Sequence, residues 1–222
     1  MARTPRKRRD AAPAGEIADP AAGRILKVAR EQLFTHGYHA LTMDGLAHEL
    51  GMSKKTLYAH FTGKDEIVAA IIEAAGRVIR RQVETVIGNQ GLNFTAALRE
   101  IMTIVGTHWE RLTPALLREF ERFAPHILDR LEALRQRNIP LVIGRMLRLG
   151  MDQGLVRRDL DVDFAVQFWL QSLHGLVQPS TLEQLGMTPR EAFENGVRLF
   201  FWAVLSESGR LDFAQSSQRK TR

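Results

Sequence analysis

Apolar residues recur at intervals of three and four along most of the chain, and two-residue alternation persists nowhere, which is the period of helices rather than strands. Between Arg24 and His36, Ile25, Ala29 and Leu33 form a stripe flanked by Leu26, Val28 and Phe34, and Gly37 ends it. Thr42 precedes a short run holding Leu46, Ala47 and Leu50. Gly51 breaks that run, and Ser53 opens a second one through Leu57 to Phe61, so two brief helices are predicted around a tight turn. A long helix is predicted from near Gly63, because Ile67, Ala70, Ile71, Ala74, Val78 and Val83 keep one face until Gly88 and Gly91. Helical patterns follow at about 93–111, 114–124, 126–153, 161–178 and 189–207, punctuated by Pro114, Pro125, Gly154, Pro179, Gly186 and Pro189. Pro140 falls inside one of them and is expected to kink or split it. The expected fold class is all-α, with about nine helices.

Composition narrows this further. A chain of 222 residues that is 45% hydrophobic buries a substantial core. No stretch approaches the twenty or so apolar residues that span a bilayer, so a soluble protein with no membrane partner is expected. The N-terminus is basic but no apolar segment follows it, unlike a secretory signal. With no cysteine, disulfides, thiolate metal sites and thiol nucleophiles drop out together, which agrees with a cytoplasmic location. The net charge of +6 is uneven: Arg3, Arg6, Lys7, Arg8 and Arg9 against Asp10 put most of it in the first ten residues. Such an arm adds salt-dependent affinity for nucleic acid or serves as a solubilising leader.

The expected organisation is a disordered basic arm at 1–20, a three-helix head at 21–66, a larger helical body at 67–208 and a flexible C-terminal tail at 209–222. The head carries the clearest chemistry. Two helices that cross closely in a helix-turn-helix need a small residue on the first, a glycine able to take positive φ in the turn, and apolar residues to seal the crossing. Ala47, Gly51 and the set Leu46, Leu50, Met52 and Leu57 meet those needs. Leu57 and Phe61 lie four apart on the inner face of the second helix, which leaves Lys54, Lys55, Tyr58 and part of Thr56 outward. Together with His60, that face offers donors for phosphates and base edges in a major groove. Thr42 and Ser53 read as N-caps whose hydroxyls also suit phosphate contact. Thr62, Gly63 and Lys64 open the long helix, whose free N–H groups attract anions.

The run ILKVAREQLFTHGYHALTMDGLAHELGMSKKTLYAHFTGKDEIVAAII, residues 25–72, resembles the N-terminal domain of the TetR family of repressors. It joins L-F-x-x-G-Y, the L-T turn, the A-x-x-x-G crossing, T-L-Y-x-H-F and a following K-x-E in the family's order. The resemblance implies phosphate contacts from Thr42, Tyr58, His60 and Lys64 and base-facing positions at Lys54, Lys55 and Thr56. Ala59 departs from the pattern, since many members carry a second aromatic there.

It also implies a homodimer built from the last two helices and an effector site in the body. Phe164, Phe168 and Leu176 on one helix, with Phe193, Val197, Phe200 and Val204 on the other, are the expected interface. Met102, Trp109, Phe120, Phe123, Met146 and Trp169, with His126 and His174 as polar members, are the expected lining of a pocket for a small, largely apolar ligand. A two-fold dimer would present two reading helices to a pseudo-palindromic operator. No catalytic residue, cofactor or metal site is expected: the histidines show no metal spacing, and neither a phosphate-binding glycine loop nor a nucleophile motif occurs. An enzyme and a helical protein-binding adaptor are the rival readings.

Overall fold

The computed structural model describes residues 19–89 and 91–218; apart from its last two residues, the expected N-terminal arm lies outside them. The described residues form eleven helices: α1 (Pro20–His36), α2 (Met43–Leu50), α3 (Lys54–His60), α4 (Lys64–Gly88), α5 (Phe94–Trp109), α6 (Pro114–Phe123), α7 (Pro125–Asp152), α8 (Val162–Leu176), α9 (Pro179–Leu185), α10 (Pro189–Val204) and α11 (Glu207–Gln218). Asp19, Thr42, Ser53, Asn93, Thr113, Asp161 and Thr188 each accept a backbone N–H of the first turn that follows them. Caps of this kind stabilise a helix by about 1 kcal/mol each, which is why the boundaries fall where the polar residues sit.

Two helices exceed the expected count of about nine. The seven residues of α9 are too few to show a period, and their helix is held by Leu182, which is buried against the core below α6. The tail expected at 209–222 is corrected more fully, because α11 continues to Gln218. Thr95 donates its hydroxyl to Asp212, Gly209 fits closely against the Leu155 carbonyl, and Phe213 packs on the body. These contacts are remote in sequence, so no local pattern announces them. Of the kink or split expected at Pro140, the split does not occur, and α7 runs unbroken from Pro125 to Asp152. The lost N–H bond of an internal proline, about 3 kcal/mol, is outweighed by packing of Ile139, Val142 and Ile143 on the body core.

Two hydrophobic clusters organise the molecule. One joins Ile25, Leu33, Leu46 and Leu57 of the head to the start of α4 and to Leu117 and Phe120 of α6. The other packs Val83 and Val86 of α4 with α5, the end of α7, α8 and α10. The expected boundary at 66/67 therefore falls inside a continuous helix that serves both cores. Because α4 exchanges neighbours along its length, its inner face turns, and Val78 lies exposed rather than on the predicted apolar face.

Candidate functional site

The crossing of α2 and α3 follows from its small and apolar residues. Leu46 and Leu57 are fully buried and Ala47 nearly so, while Gly51 takes φ 62° and donates its N–H back to the carbonyls of Ala47 and His48. This left-handed turn lets α3 leave at a steep angle, and Ser53 caps it by accepting from Thr56 N at 3.1 Å. With Leu57 and Phe61 inward, Lys54, Lys55, Thr56 and Tyr58 are exposed together on the opposite face.

Several of these groups have partners within the protein. Lys54 Nζ lies 2.7 Å from Asp44 Oδ2, and this hydrogen bond and charge hold the ammonium above its ordinary pKa. The Ser53 and Thr56 hydroxyls are 2.8 Å apart. His60 Nδ1 is 2.8 Å from Asp19 Oδ2. Thr42 is exposed and accepts Gly45 N at 3.1 Å. Lys64 folds back: its Nζ donates to the Tyr38 carbonyl at 3.1 Å and sits 4.0 Å from the centre of the Tyr38 ring. At the same helix start, Glu66 accepts both the N–H and the hydroxyl of Thr62.

The turn after α1 ties this head to the body. Gly37, at φ 89°, passes so close to Glu119 of α6 that a Cβ there would stand 2.7 Å from Oε1. His39 N donates to Glu119 Oε2 at 2.8 Å, and the His39 ring lies 5.5 Å from that of Phe123. The Tyr38 phenol donates to Asp65, whose other oxygen is 3.1 Å from His126 Nε2.

A cavity of about 230 Å³ opens inside the body and reaches the head. Met102, Trp109, Phe120, Met146 and Trp169 line it, as does His108. Phe123, His126 and His174 do not. Phe123 lies exposed beside His39, His126 faces Asp65, and His174 Nδ1 pairs with Glu132 at 3.0 Å on the outside. Each stands on a helix face turned from the cavity. Sequence reasoning missed Arg30 and Phe34 of α1, Arg111, Arg135 and Asn138 among the lining groups, because charged residues on amphipathic helices read as solvated faces.

The outer surface of α8 and α10 also departs from expectation. Phe164 and Phe168 are exposed and Leu176 is half-buried, but Phe193, Val197, Phe200 and Val204 are buried within the protomer's own core. Trp169 stands 5.2 Å from Phe200 and 6.3 Å from Phe193, ring centre to ring centre. The outward apolar residues of α10 are instead Leu199, 75% exposed, and Trp202, 50% exposed. Because α10 is apolar around most of its girth, only its packing separates inward from outward.

The family described as bacterial regulatory proteins, tetR family, matches residues 25–78, that is, α1 to α3 and the first part of α4. The transcriptional regulator UidR of Escherichia coli is 25% identical over 195 residues, covering 86% of this chain and 96% of its own. The head of this chain thus carries the helix-turn-helix domain of the TetR family of transcriptional regulators. A transcriptional regulator from Cytophaga hutchinsonii shares the TetR-like fold with a TM-score of 0.66 at 18% identity, over 85% of this chain and all of that one. SmeT, the repressor of the Stenotrophomonas maltophilia multidrug efflux pump SmeDEF, aligns with a TM-score of 0.60 at 18% identity, over 84% of this chain and 91% of its own. The matched TetR segment holds every outward residue of α3, whereas the cavity and the α8–α10 face lie mostly beyond it. Among the described residues, no helix is long and apolar enough to cross a membrane, and no cluster of three or more His, Asp or Glu is placed to hold a metal.

Proposed function

We propose that this TetR-family regulator is a repressor that binds a pseudo-palindromic operator as a two-fold dimer in the cytoplasm and leaves it when a small, largely apolar molecule fills the cavity. One observation carries the reading: α1 belongs to both sites. Its Ile25, Ala29 and Leu33 build the core under the helix-turn-helix, and its Arg30, Leu33 and Phe34 form part of the cavity wall. A ligand that favours a shifted α1 also shifts α3, and it moves the equilibrium only by its difference in affinity for the two positions.

On the DNA side, Lys54, Lys55 and Thr56 face bases in the proposed complex. Thr42, Ser53, Tyr58 and His60 meet phosphates, and Lys64 joins them only by leaving the Tyr38 carbonyl. On the dimer side, Phe164 and Phe168 with Leu199 and Trp202 are exposed apolar side chains on two helices that pack together, and exposed apolar surface of this kind marks an interface. With half-sites about one DNA turn apart, two copies of α3 would enter successive major grooves on one side of the duplex. Neither the enzyme nor the adaptor reading has a feature of its own in this arrangement.

The test is a fluorescence-anisotropy titration of the purified protein on the DNA upstream of its gene and on random duplex. Lys55→Ala is expected to weaken operator binding about tenfold, in line with a lost base contact, and to weaken random DNA much less. Equal binding by wild type and variant on the operator overturns the base-reading role of α3.

A further inference from the structure

The polar groups on the cavity wall carry one sign of charge. Arg30, Arg111 and Arg135 line it with His108 and Asn138, and no Asp or Glu is among the lining residues. Arg30 and Arg111 are exposed at the wall, and Arg111 leans over the Phe34 ring at 5.8 Å. Arg135 is set deeper, its guanidinium 5.1 Å from the centre of the Trp109 ring. Burial pulls its pKa down from the ordinary value, against the opposing pull of Glu132, yet an arginine stays cationic there.

The partner that Arg135 has is a poor one. Its single hydrogen bond among the described residues runs from Nη1 to Glu132 Oε2 at 3.4 Å, which leaves most of its five N–H donors without an acceptor. Glu132 is already engaged, taking His174 Nδ1 at 3.0 Å and Gln136 Nε2 at 3.1 Å. One helical turn away on the same face of α7, the Asn138 Oδ1 is buried with no hydrogen-bond partner. Buried acceptors are nearly always satisfied, and Asn138 itself lines the cavity, so a turn of its carboxamide would bring this orphan to a donor carried by the cavity's occupant. The remaining lining is aliphatic and aromatic.

We infer that the effector is an amphiphilic acid: an apolar body against Trp109, Met102 and Trp169, a carboxylate on Arg135, and a hydroxyl or amide N–H beside the acid that donates to Asn138 Oδ1. This rests on the cavity being the effector site. A neutral apolar molecule leaves both polar groups unmet, and an amine sets a second cation beside Arg135. An acid with an adjacent donor satisfies both, and such polar groups discriminate strongly because an analogue lacking the matching group leaves them unpaired in a dry site. Arg30 and Arg111 add favourable potential along the wall for an approaching anion.

The experiment compares 3-hydroxydecanoate, decanoate, 1-decanol and decyltrimethylammonium on the full-length protein, with quenching of tryptophan fluorescence as the binding readout, since Trp109 and Trp169 line the cavity. Release of operator DNA is measured in parallel. The expected order is 3-hydroxydecanoate tightest, decanoate about tenfold weaker, 1-decanol weaker again and the cation weakest. Arg135→Met is expected to bring acid and alcohol within about twofold of one another while binding of the alcohol persists, which also shows that the variant is folded. Asn138→Leu is expected to remove the preference for the hydroxy acid over decanoate without lowering Tm. Equal binding of alcohol and acids, acid preference retained in Arg135→Met, or no binding by any of the four overturns the assignment. Acids that bind in this order but leave the operator complex intact uphold the acid site and overturn the effector reading instead. Release by 1-decanol as readily as by the acids does the reverse.

Discussion

Lys54 and Asp44 are 2.7 Å apart across the turn of the helix-turn-helix, so a lysine proposed to read DNA is held in the free protein by a carboxylate from the preceding helix. Both groups are exposed, and DNA competes with Asp44 for the ammonium. Asp44→Asn is expected to tighten binding to operator and to random duplex alike by a few-fold at low salt, because it frees one cation and removes one anion from the surface facing the phosphates. The gain should shrink as salt rises. Anisotropy titrations at several ionic strengths check this. A variant that binds random DNA no better than wild type shows that the pair has no bearing on the DNA surface.

The junction between head and body makes a prediction about alkaline pH. Tyr38 is buried at 4% exposure beneath Phe120 of α6, and its phenol donates to Asp65. Burial first, then the hydrogen bond and charge of Asp65, push its pKa well above the ordinary tyrosine value. A group raised on folding stabilises fully below its unfolded pKa, near 10, and that contribution is lost as pH climbs from there through the folded value. Tyr38→Phe is expected to cost about 1 kcal/mol at pH 7 by removing the hydrogen bond, and the gap from wild type should close above about pH 10. Urea unfolding of both proteins at pH 7 and pH 11 measures it. A gap of constant size would show that Tyr38 ionises normally.

The outer face of α8 and α10 separates association from folding. Trp202 and Leu199 point outward, while Phe200 and Phe201 between them are buried. Trp202→Glu is expected to leave the helical content and Tm of the protomer nearly unchanged while converting the dimer to monomer and weakening operator binding at least tenfold. Phe200→Ala is expected to cost roughly 3–5 kcal/mol of stability as a core cavity. Light scattering after size exclusion, with thermal unfolding, distinguishes the two. A dimer that survives Trp202→Glu with unchanged dissociation would remove this face from the interface.

Much of the head was legible because its determinants are local. Thr42 and Ser53 are caps within three residues of the N–H groups they satisfy, Gly51 is a turn glycine four residues after Ala47, and Leu57 and Phe61 set the inner face of α3 by spacing alone. The caps and punctuation of the body helices were local too, and the predicted boundaries there lie close to the observed ones. Sequence by itself thus determined that the chain is all-α, where most helices begin, and which residues of α3 face outward. Tertiary packing decided the rest. It chose which side of the broadly apolar α10 turns inward and so moved Phe193, Val197, Phe200 and Val204 from an expected interface into the core. It folded 207–218 into α11 through contacts with Thr95 and Leu155, and it carried α7 past Pro140. It also brought Arg135 and Asn138 to a cavity wall. Each of these depends on which helix lies against which, and hydrophobic periodicity states that a face is apolar without stating what will cover it.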